Sequence, residues 1–333
     1  MLVVFTILTV SLLFVNGFAD APSTVAGLIS TRTLTPSRAV LLSAFFNLCG
    51  TVAMAYISSD VAETVSGIVR FGEDGKHALR ILCAGICAVV VWSVVSWRLG
   101  IPTSGSHALV SGITGAALAG RMGLSAVNLK GWGLILAGLL VSTLPAFLLA
   151  KLIFSFFTFI FENFDRRRVI THFRRSQIWS AATTSFINGG QNSQKYMGVF
   201  MLGISLYTGY GTGAEFKLPL PVIAVSALCI SAGTLAGGGR VIKKTGMQMA
   251  KFDSSGASAA NSASSAVLAA CSFLGIPAST AHTKTCAMMG VGSHRYGGGA
   301  DMKIIGQMLL AWCLTFPVCG ALGFVLATFI IIF

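Results

Sequence analysis

Long apolar stretches separated by short polar connections dominate the chain. A stretch of about 20 apolar residues can cross the hydrocarbon core of a membrane, which is roughly 30 Å thick. Stretches of about this length or longer predict membrane-spanning helices at residues 2–30, 39–57, 81–99, 131–161, 178–206, 218–236, 257–274 and 304–333. The pattern therefore predicts an all-α polytopic membrane protein.

Composition supports a membrane location for these helices. The chain is 54% hydrophobic and 10% charged, with a mean hydropathy of +0.81, whereas a typical soluble domain is about 25% charged. The formal net charge of +13 is attributed to membrane orientation and contact with anionic lipid, since no motif indicates nucleic acid. The eight cysteines are predicted to be packing residues, and no cofactor or resident metal cluster is expected.

The sequence contains two copies of one unit. Residues 99–107 read Leu-Gly-Ile-Pro-Thr-Ser-Gly-Ser-His, and residues 274–282 read Leu-Gly-Ile-Pro-Ala-Ser-Thr-Ala-His. Two shorter matches keep the same order along the chain, namely Asn-Gly at 16–17 and 188–189 and Thr-x-Pro at 143–145 and 315–317. Three matches in register predict a duplicated membrane protein, and we refer to residues 99–107 and 274–282 as the two Pro-Ser-His segments.

Loop charges predict opposite membrane orientations for the two copies. Cytoplasmic loops carry an excess of Lys and Arg, so the arginines of residues 162–177 mark a basic cytoplasmic linker between a first repeat, 1–161, and a second, 178–333. The N-terminus is then expected outside. Copies of opposite orientation form an inverted-topology repeat, from which many secondary transporters build a site near the membrane midplane. The Pro-Ser-His segments, which fill gaps between spans, are expected to be re-entrant hairpins.

Both Asn-Gly copies lie within otherwise continuous apolar spans. Gly, Pro and Asn between Asn16 and Ser23, and between Asn188 and Ser193, predict that the two helices are broken. Unwound backbone is tolerated at membrane depth only where it is buried in protein or lines a polar cavity. Freed helix ends would offer N–H groups to anions and carbonyl groups to cations. A packing kink is the alternative for either site taken alone.

Asp20 is the one carboxylate that falls deep within an apolar span. A charge at that depth costs on the order of 3 kcal/mol by insertion scales, so Asp20 is expected to have a cationic partner. The candidates are a coupling Na⁺, for which Asp20 would be a ligand, a proton, or the ammonium group of Lys195 in a static ion pair.

The Pro-Ser-His segments carry the chemistry of an oxyanion site. Ser104, Ser106, Ser279 and Thr280 are neutral hydrogen-bond donors placed where a helix can begin after Gly-Ile-Pro. Such helix N-termini hold an anion without a buried positive charge. The alternative is that these hydroxyls bond back to their own helix carbonyls.

Each segment also ends in a histidine. His107 and His282 are either polar groups of the site or packing residues. A Ser-His hydrolase would need one asymmetric reaction centre with an acid, whereas here both Ser and His are duplicated and the motif has no acid. The chain is therefore not expected to be an enzyme.

With these motifs the chain resembles a known family, the inorganic phosphate transporters of the PiT family. Three stretches carry the resemblance together with the two Pro-Ser-His segments: residues 14–20 with Thr31-Arg32, residues 189–198 ending in Gln-Lys-Tyr-Met-Gly, and residues 233–246. The resemblance implies symport of phosphate with Na⁺ or H⁺ across the cell membrane, by an elevator-like or rocking movement of the repeats, in a homodimer.

The resemblance also implies roles for particular residues. Phosphate ligands would fall on Ser104, Ser106, Ser279 and Thr280, with the amides of Asn16, Asn188 and Gln191 nearby. Asp20 would be the cation-coupling carboxylate.

The chain departs from the family pattern at the second signature. Gln191-Asn192 stands where the family usually has Asn-Asp, and Ser23 stands where it often has Asn. Because the amide of Asn192 cannot carry a proton, we expect one fewer coupled cation than in relatives with both acids, or a changed choice of ion.

Two alternatives remain open from the sequence. One is a sulfate permease of the same family, although monohydrogen phosphate can donate a hydrogen bond to a carboxylate such as Asp20 and sulfate cannot. The other is a passive anion channel, which would not need broken helices around a central acid.

Overall fold

The computed structural model describes residues 1–72, 74–99, 103–209, 217–237, 253–294 and 302–332, without the side chains of residues 22, 23, 166, 302–305, 307 and 308. Residues 100–102 of the first Pro-Ser-His segment and residues 238–246 of the third family stretch lie outside the described residues. The helices within these ranges are α1 (Leu2–Ser30), α2 (Pro36–Ile57), α3 (Asp60–Ser66), α4 (Gly75–Leu99), α5 (Gly105–Ala119), α6 (Leu129–Phe161), α7 (Arg166–Thr208), α8 (Leu220–Gly237), α9 (Ser254–Phe273), α10 (Thr280–His294) and α11 (Met302–Ile332).

The prediction of an all-α membrane protein is confirmed. Each of the eight predicted spans coincides with a long helix. Among the described residues six helices are long and apolar enough to cross a membrane, namely α1, α2, α4, α6, α8 and the 309–332 part of α11. The long helices α7 and α9 fall outside that set because they carry many Ser, Thr, Asn and Gln residues.

Helix α7 begins inside the segment that the sequence suggested as a linker. The side chain of Asp165 accepts a hydrogen bond from the backbone N–H of Arg167 at 3.3 Å and so caps the helix. An N-terminal cap of this kind satisfies a backbone donor that has no partner within the helix. The basic residues 166–175 therefore form the first turns of a helix of 43 residues.

The predicted helix breaks are wrong. Helix α1 is continuous through residues 16–23, and α7 is continuous through residues 188–193. The glycines serve close helix contact instead: a Cβ added at Gly17 would collide with the backbone of Ile230 in α8, and one added at Gly189 would collide with that of Asn47 in α2. Small residues let membrane helices approach backbone to backbone, so in these helices Asn-Gly marks a crossing point.

Several helices of each half pack on helices of the other half. Helix α1 packs on α8 while its counterpart α7 packs on α2, and α5 packs on α11 while its counterpart α10 packs on α6. Contacts within each half complete the packing, with α4 against α1 and α9 against α7. Each half of the chain is thus covered by the other half.

The two short helices α5 and α10 begin within the Pro-Ser-His segments. Helices α5 and α10 have 15 residues each, which is about 22 Å of helix and shorter than a membrane core. The side chains of Ser104 and Ser279 accept hydrogen bonds from the backbone N–H groups of His107 and His282 at 3.3 and 3.4 Å. Both serines are buried, so both helices begin inside the protein.

Alanine substitutions at two glycines test the crossing points. Gly189→Ala should destabilise the protein by about 1–3 kcal/mol, the usual cost of overpacking, because the new methyl group collides with Asn47. Gly133→Ala in α6, where no atom lies within 4 Å of the added Cβ, should be neutral or stabilising because alanine favours helix over glycine by about 1 kcal/mol. Thermal unfolding of the detergent-purified variants measures both, and equal melting temperatures would contradict the packing role of Gly189.

Candidate functional site

The N-termini of α5 and α10 meet at the centre of the protein. The hydroxyl oxygens of Ser104 and Ser279 lie 2.8 Å apart and share a hydrogen bond. Each serine caps its helix, so the backbone N–H groups of both first turns are directed to the same region. Because a helix carries about half a positive charge at its N-terminus, two such ends facing each other create a region of positive potential suited to an anion.

A buried lysine adds a full positive charge beside these helix ends. Lys195 of α7 is 1% exposed. Its Nζ donates to the hydroxyl of Ser106 at 2.8 Å, the carbonyl oxygen of Ala278 at 2.6 Å and the amide oxygen of Asn192 at 3.1 Å. An ammonium group has three donors, and these three contacts hold it between the two Pro-Ser-His segments.

Asp20 lies at the edge of the same cluster. Its carboxylate accepts hydrogen bonds from the hydroxyl of Thr280 at 3.1 Å and from the amide nitrogen of Asn192. Asn192 therefore bridges the two charged groups, since its amide nitrogen donates to Asp20 and its amide oxygen accepts from Lys195. The structure thus gathers Asp20, Asn192, Lys195 and the hydroxyls of both segments into one polar centre.

The predicted amide ligands occupy different places around this centre. Asn16 lies against the first turn of α5, where a Cβ added at Gly105 would be 2.7 Å from its amide nitrogen. Gln191 donates from Nε2 to the carbonyl oxygen of Ile276 at 3.2 Å, in the approach to the second segment. Asn188 is buried, and neither of its amide atoms has a hydrogen-bond partner among the described residues. The side chain of Ser23 lies outside the described residues.

The two histidines pack against aromatic rings. Their ring centroids lie 4.5 Å apart, His107 stacks on Phe316 at 4.5 Å, and His282 lies 3.6 Å from the ring of Trp312. Within the described part of the chain, Nδ1 of His107 and both ring nitrogens of His282 make no hydrogen bond. This geometry joins the first turns of α5 and α10 to α11 and favours packing over direct contact with the polar centre.

Sequence reasoning overlooked two buried polar groups. Tyr196 is 1% exposed, and its hydroxyl lies near the first turn of α5, 3.0 Å from the Cβ that an alanine at Gly105 would have. Lys284 is 6% exposed and donates from Nζ to the amide oxygen of Asn261. Lys284 lies between the predicted spans 257–274 and 304–333, so the test that singled out Asp20, a charge within an apolar span, could not have found it.

No group of three His, Cys, Asp or Glu residues able to hold a metal ion is present in the described ranges. All eight cysteines are free. The polar centre instead offers one carboxylate and several hydroxyl and carbonyl oxygens to a cation, and N–H and O–H donors to an anion.

A solved transporter has the same fold. The structure superposes on a solved structure titled "The sodium-dependent phosphate transporter" with a TM-score of 0.89, covering 99% of both chains at 19% sequence identity. The two chains therefore share one helical fold.

Sequence comparisons identify the family. The model described as "Phosphate transporter family" matches residues 16–172 and 161–323. The chain is 32% identical over 311 residues to the "Probable low-affinity inorganic phosphate transporter" of Rhizobium meliloti, covering 93% of this chain and 90% of that protein. A protein of the same description from Bacillus subtilis is 30% identical over 310 residues, covering 93% and 91%. The chain belongs to the phosphate transporter family, as its motifs predicted.

Proposed function

We propose that the protein is a secondary active transporter that carries inorganic phosphate across the cell membrane together with a cation. The observation that carries the proposal is the polar centre, in which two helix N-termini and the ammonium group of Lys195 converge beside the carboxylate of Asp20. An anion and a cation can bind there next to each other, and the charge of each then favours the other. Such mutual stabilisation is the physical basis of coupling.

Phosphate is proposed to bind at the meeting point of α5 and α10. Its oxygens would accept hydrogen bonds from Ser104, Ser106, Ser279 and Thr280 and would replace the present hydrogen bond between the two capping serines. Lys195 already donates to Ser106, so its charge stands next to the proposed ligands. The amides of Asn16, Gln191 and Asn188 would form the surrounding polar wall.

We propose Na⁺ as the coupling ion, with H⁺ as the alternative that experiment must exclude. The carboxylate of Asp20 and the hydroxyl of Thr280 lie 3.1 Å apart, and both are hard oxygen groups of the kind that a small alkali cation prefers. Thr280 is also a proposed phosphate ligand, so the same hydroxyl would contact both solutes.

We expect the site to prefer phosphate to sulfate because of the Asp20 carboxylate. Monohydrogen phosphate can donate a hydrogen bond to the carboxylate of Asp20, whereas sulfate has no proton to donate. A site built to receive a hydrogen bond rejects an analogue that cannot donate it.

The architecture of the transporter is proposed to be an inverted repeat with re-entrant hairpins. The exchanged packing of corresponding helices is what a pseudo-two-fold axis between the halves produces. Helices α5 and α10 are too short to span the membrane, which suits hairpins whose tips stop at mid-depth. The arginine-rich start of α7 would lie in the cytoplasm and the N-terminus outside, with movement of the repeats giving alternating access. A homodimer is proposed from the family resemblance.

Labelled phosphate uptake into proteoliposomes tests the central proposal. Wild-type protein should accumulate phosphate under an inward Na⁺ gradient and should not do so without a gradient. Asp20→Asn should lose accumulation by at least tenfold, because the neutral amide no longer attracts the cation. Asp253→Asn, which removes a carboxylate at the start of α9, serves as the control.

The other outcomes separate the alternatives. Accumulation under a proton gradient alone would establish H⁺ coupling. Phosphate flux that follows only the phosphate gradient, with no effect of a Na⁺ or H⁺ gradient, would point to a channel. Inhibition by an equal concentration of sulfate would point to a sulfate permease.

The departure at Asn192 predicts a change in stoichiometry. Asn192→Asp supplies a second carboxylate to the polar centre and should add one coupled cation per phosphate. The measurement is the slope of the phosphate accumulation ratio against the imposed ion gradient, compared between wild type and variant. Identical slopes would show that Asn192 does not set the number of coupled ions.

Single alanine substitutions test the phosphate ligands. Loss of one hydrogen bond to a charged ligand costs about 1.5–3 kcal/mol, so Ser104→Ala and Ser279→Ala should each raise the KM for phosphate by about 10-fold to 100-fold. Ser125→Ala, at an exposed serine outside the hairpins, should leave KM unchanged. A fall in melting temperature without a change in KM would assign the two serines a capping role only.

A further inference from the structure

We propose that Lys284, Asn261 and Ser180 form a second anion-binding site, which phosphate occupies on its way between the polar centre and the end of the bundle where α7 begins. The proposal rests on the function proposed above. It assigns a role to a buried charge that the polar centre does not use.

The three residues form a connected group on three different helices. Lys284 of α10 lies one helical turn after Thr280, and its Nζ donates to the amide oxygen of Asn261 in α9. The amide nitrogen of Asn261 donates in turn to the hydroxyl of Ser180 in α7 at 3.3 Å. All three side chains are buried, with 6%, 4% and 8% of their surface exposed.

Within the described residues, no carboxylate balances the charge of Lys284. Across the described ranges no ion pair joins Lys284 to a carboxylate, and the acceptor found for its ammonium group is the neutral amide of Asn261. A buried charge is costly unless it is paired, and an ammonium group has three donors to satisfy. A tetrahedral oxyanion placed beside Lys284 would supply both the missing charge and the missing acceptors.

A polar stripe connects this group to the polar centre. Along α7, buried polar side chains recur every three or four residues and thus lie on one helix face, at Gln177, Ser180, Thr184, Asn188, Gln191 and Lys195. The distance along the helix from Ser180 to Asn192 is about 18 Å. Helix α9 faces this stripe with further hydroxyls, since Ser265 bonds to Thr184 at 2.8 Å and Ser258 bonds to Ser176 at 2.9 Å.

The stripe gives the second site its place in transport. An anion that leaves the polar centre along α7 meets hydroxyl and amide groups at every turn, and Lys284 supplies the full positive charge in this part of the route. The chain has no lysine at the matching place in the first repeat, where Leu109 stands 175 positions earlier. The second site is therefore confined to one side of the polar centre.

A purely structural role for Lys284 makes the opposite prediction for one substitution. If Lys284 only ties α10 to α9, then Asn261→Asp should preserve or strengthen the tie, because it replaces an amide oxygen by a carboxylate of the same size. If Lys284 binds a passing anion, the same substitution neutralises its charge internally and repels phosphate.

The experiment is exchange of labelled for unlabelled phosphate in proteoliposomes, with phosphate-dependent thermal stabilisation of the purified protein as a readout of the polar centre. We expect Asn261→Asp and Lys284→Gln to slow exchange at least tenfold while the phosphate concentration that gives half-maximal stabilisation shifts less than threefold. Lys284→Arg should keep at least a third of the wild-type rate. Lys151→Gln, which removes an exposed charge from α6, should exchange phosphate at the wild-type rate.

The outcomes distinguish this inference from the function on which it rests. Wild-type protein that exchanges no phosphate would overturn the proposed function. Wild-type exchange together with undiminished exchange in Asn261→Asp would overturn the second site alone. Loss of the folded protein in both Asn261→Asp and Lys284→Gln would also overturn it, because Lys284 would then be a structural tie.

Discussion

The structure depends on satisfying two opposite charges inside a medium of low dielectric constant. Asp20 and Lys195 come from different halves of the chain, and Asn192 joins them by donating to one and accepting from the other. In such surroundings an unpaired charge would cost several kcal/mol. The buried starts of α5 and α10, the helix crossings and the burial of α7 together hold these groups in place.

Much of the fold could be predicted from the sequence, because the position of a helix depends on the residues within it. Apolar length fixed the position of every long helix, and the repeated Pro-Ser-His segments indicated that Ser104 and Ser279 belong to equivalent places. The helix breaks were wrong because Asn-Gly favours a turn in water, whereas here Gly17 and Gly189 are pressed against backbone of α8 and α2. Whether a glycine interrupts a helix or lets a neighbour approach depends on what packs there, and residues 16–17 and 188–189 do not contain that information.

Only part of the polar centre could be predicted, because its contacts join different helices. Asp20 stood out as a charge in an apolar span, but its connection to Lys195 through Asn192 depends on the relative position of α1 and α7, which no spacing within either helix determines. The duplicated parts have also diverged at the positions that carry charge. Asp20 corresponds to Asn192, Ser23 to Lys195 and Leu109 to Lys284. Matching positions of the two halves thus carry different charges.

The exchanged packing of the helices has a consequence for how the protein is made. The glycine face of α1 is covered by α8, and Gly50 of α2 lies against the backbone of Phe186 in α7, so neither half can complete its own contacts. During synthesis the first half must therefore wait in the membrane with these faces covered only by lipid until the second half is inserted. Because lipid tails are as apolar as leucine side chains, lipid can cover these glycine faces in the meantime, and the order of synthesis need not be the order of assembly.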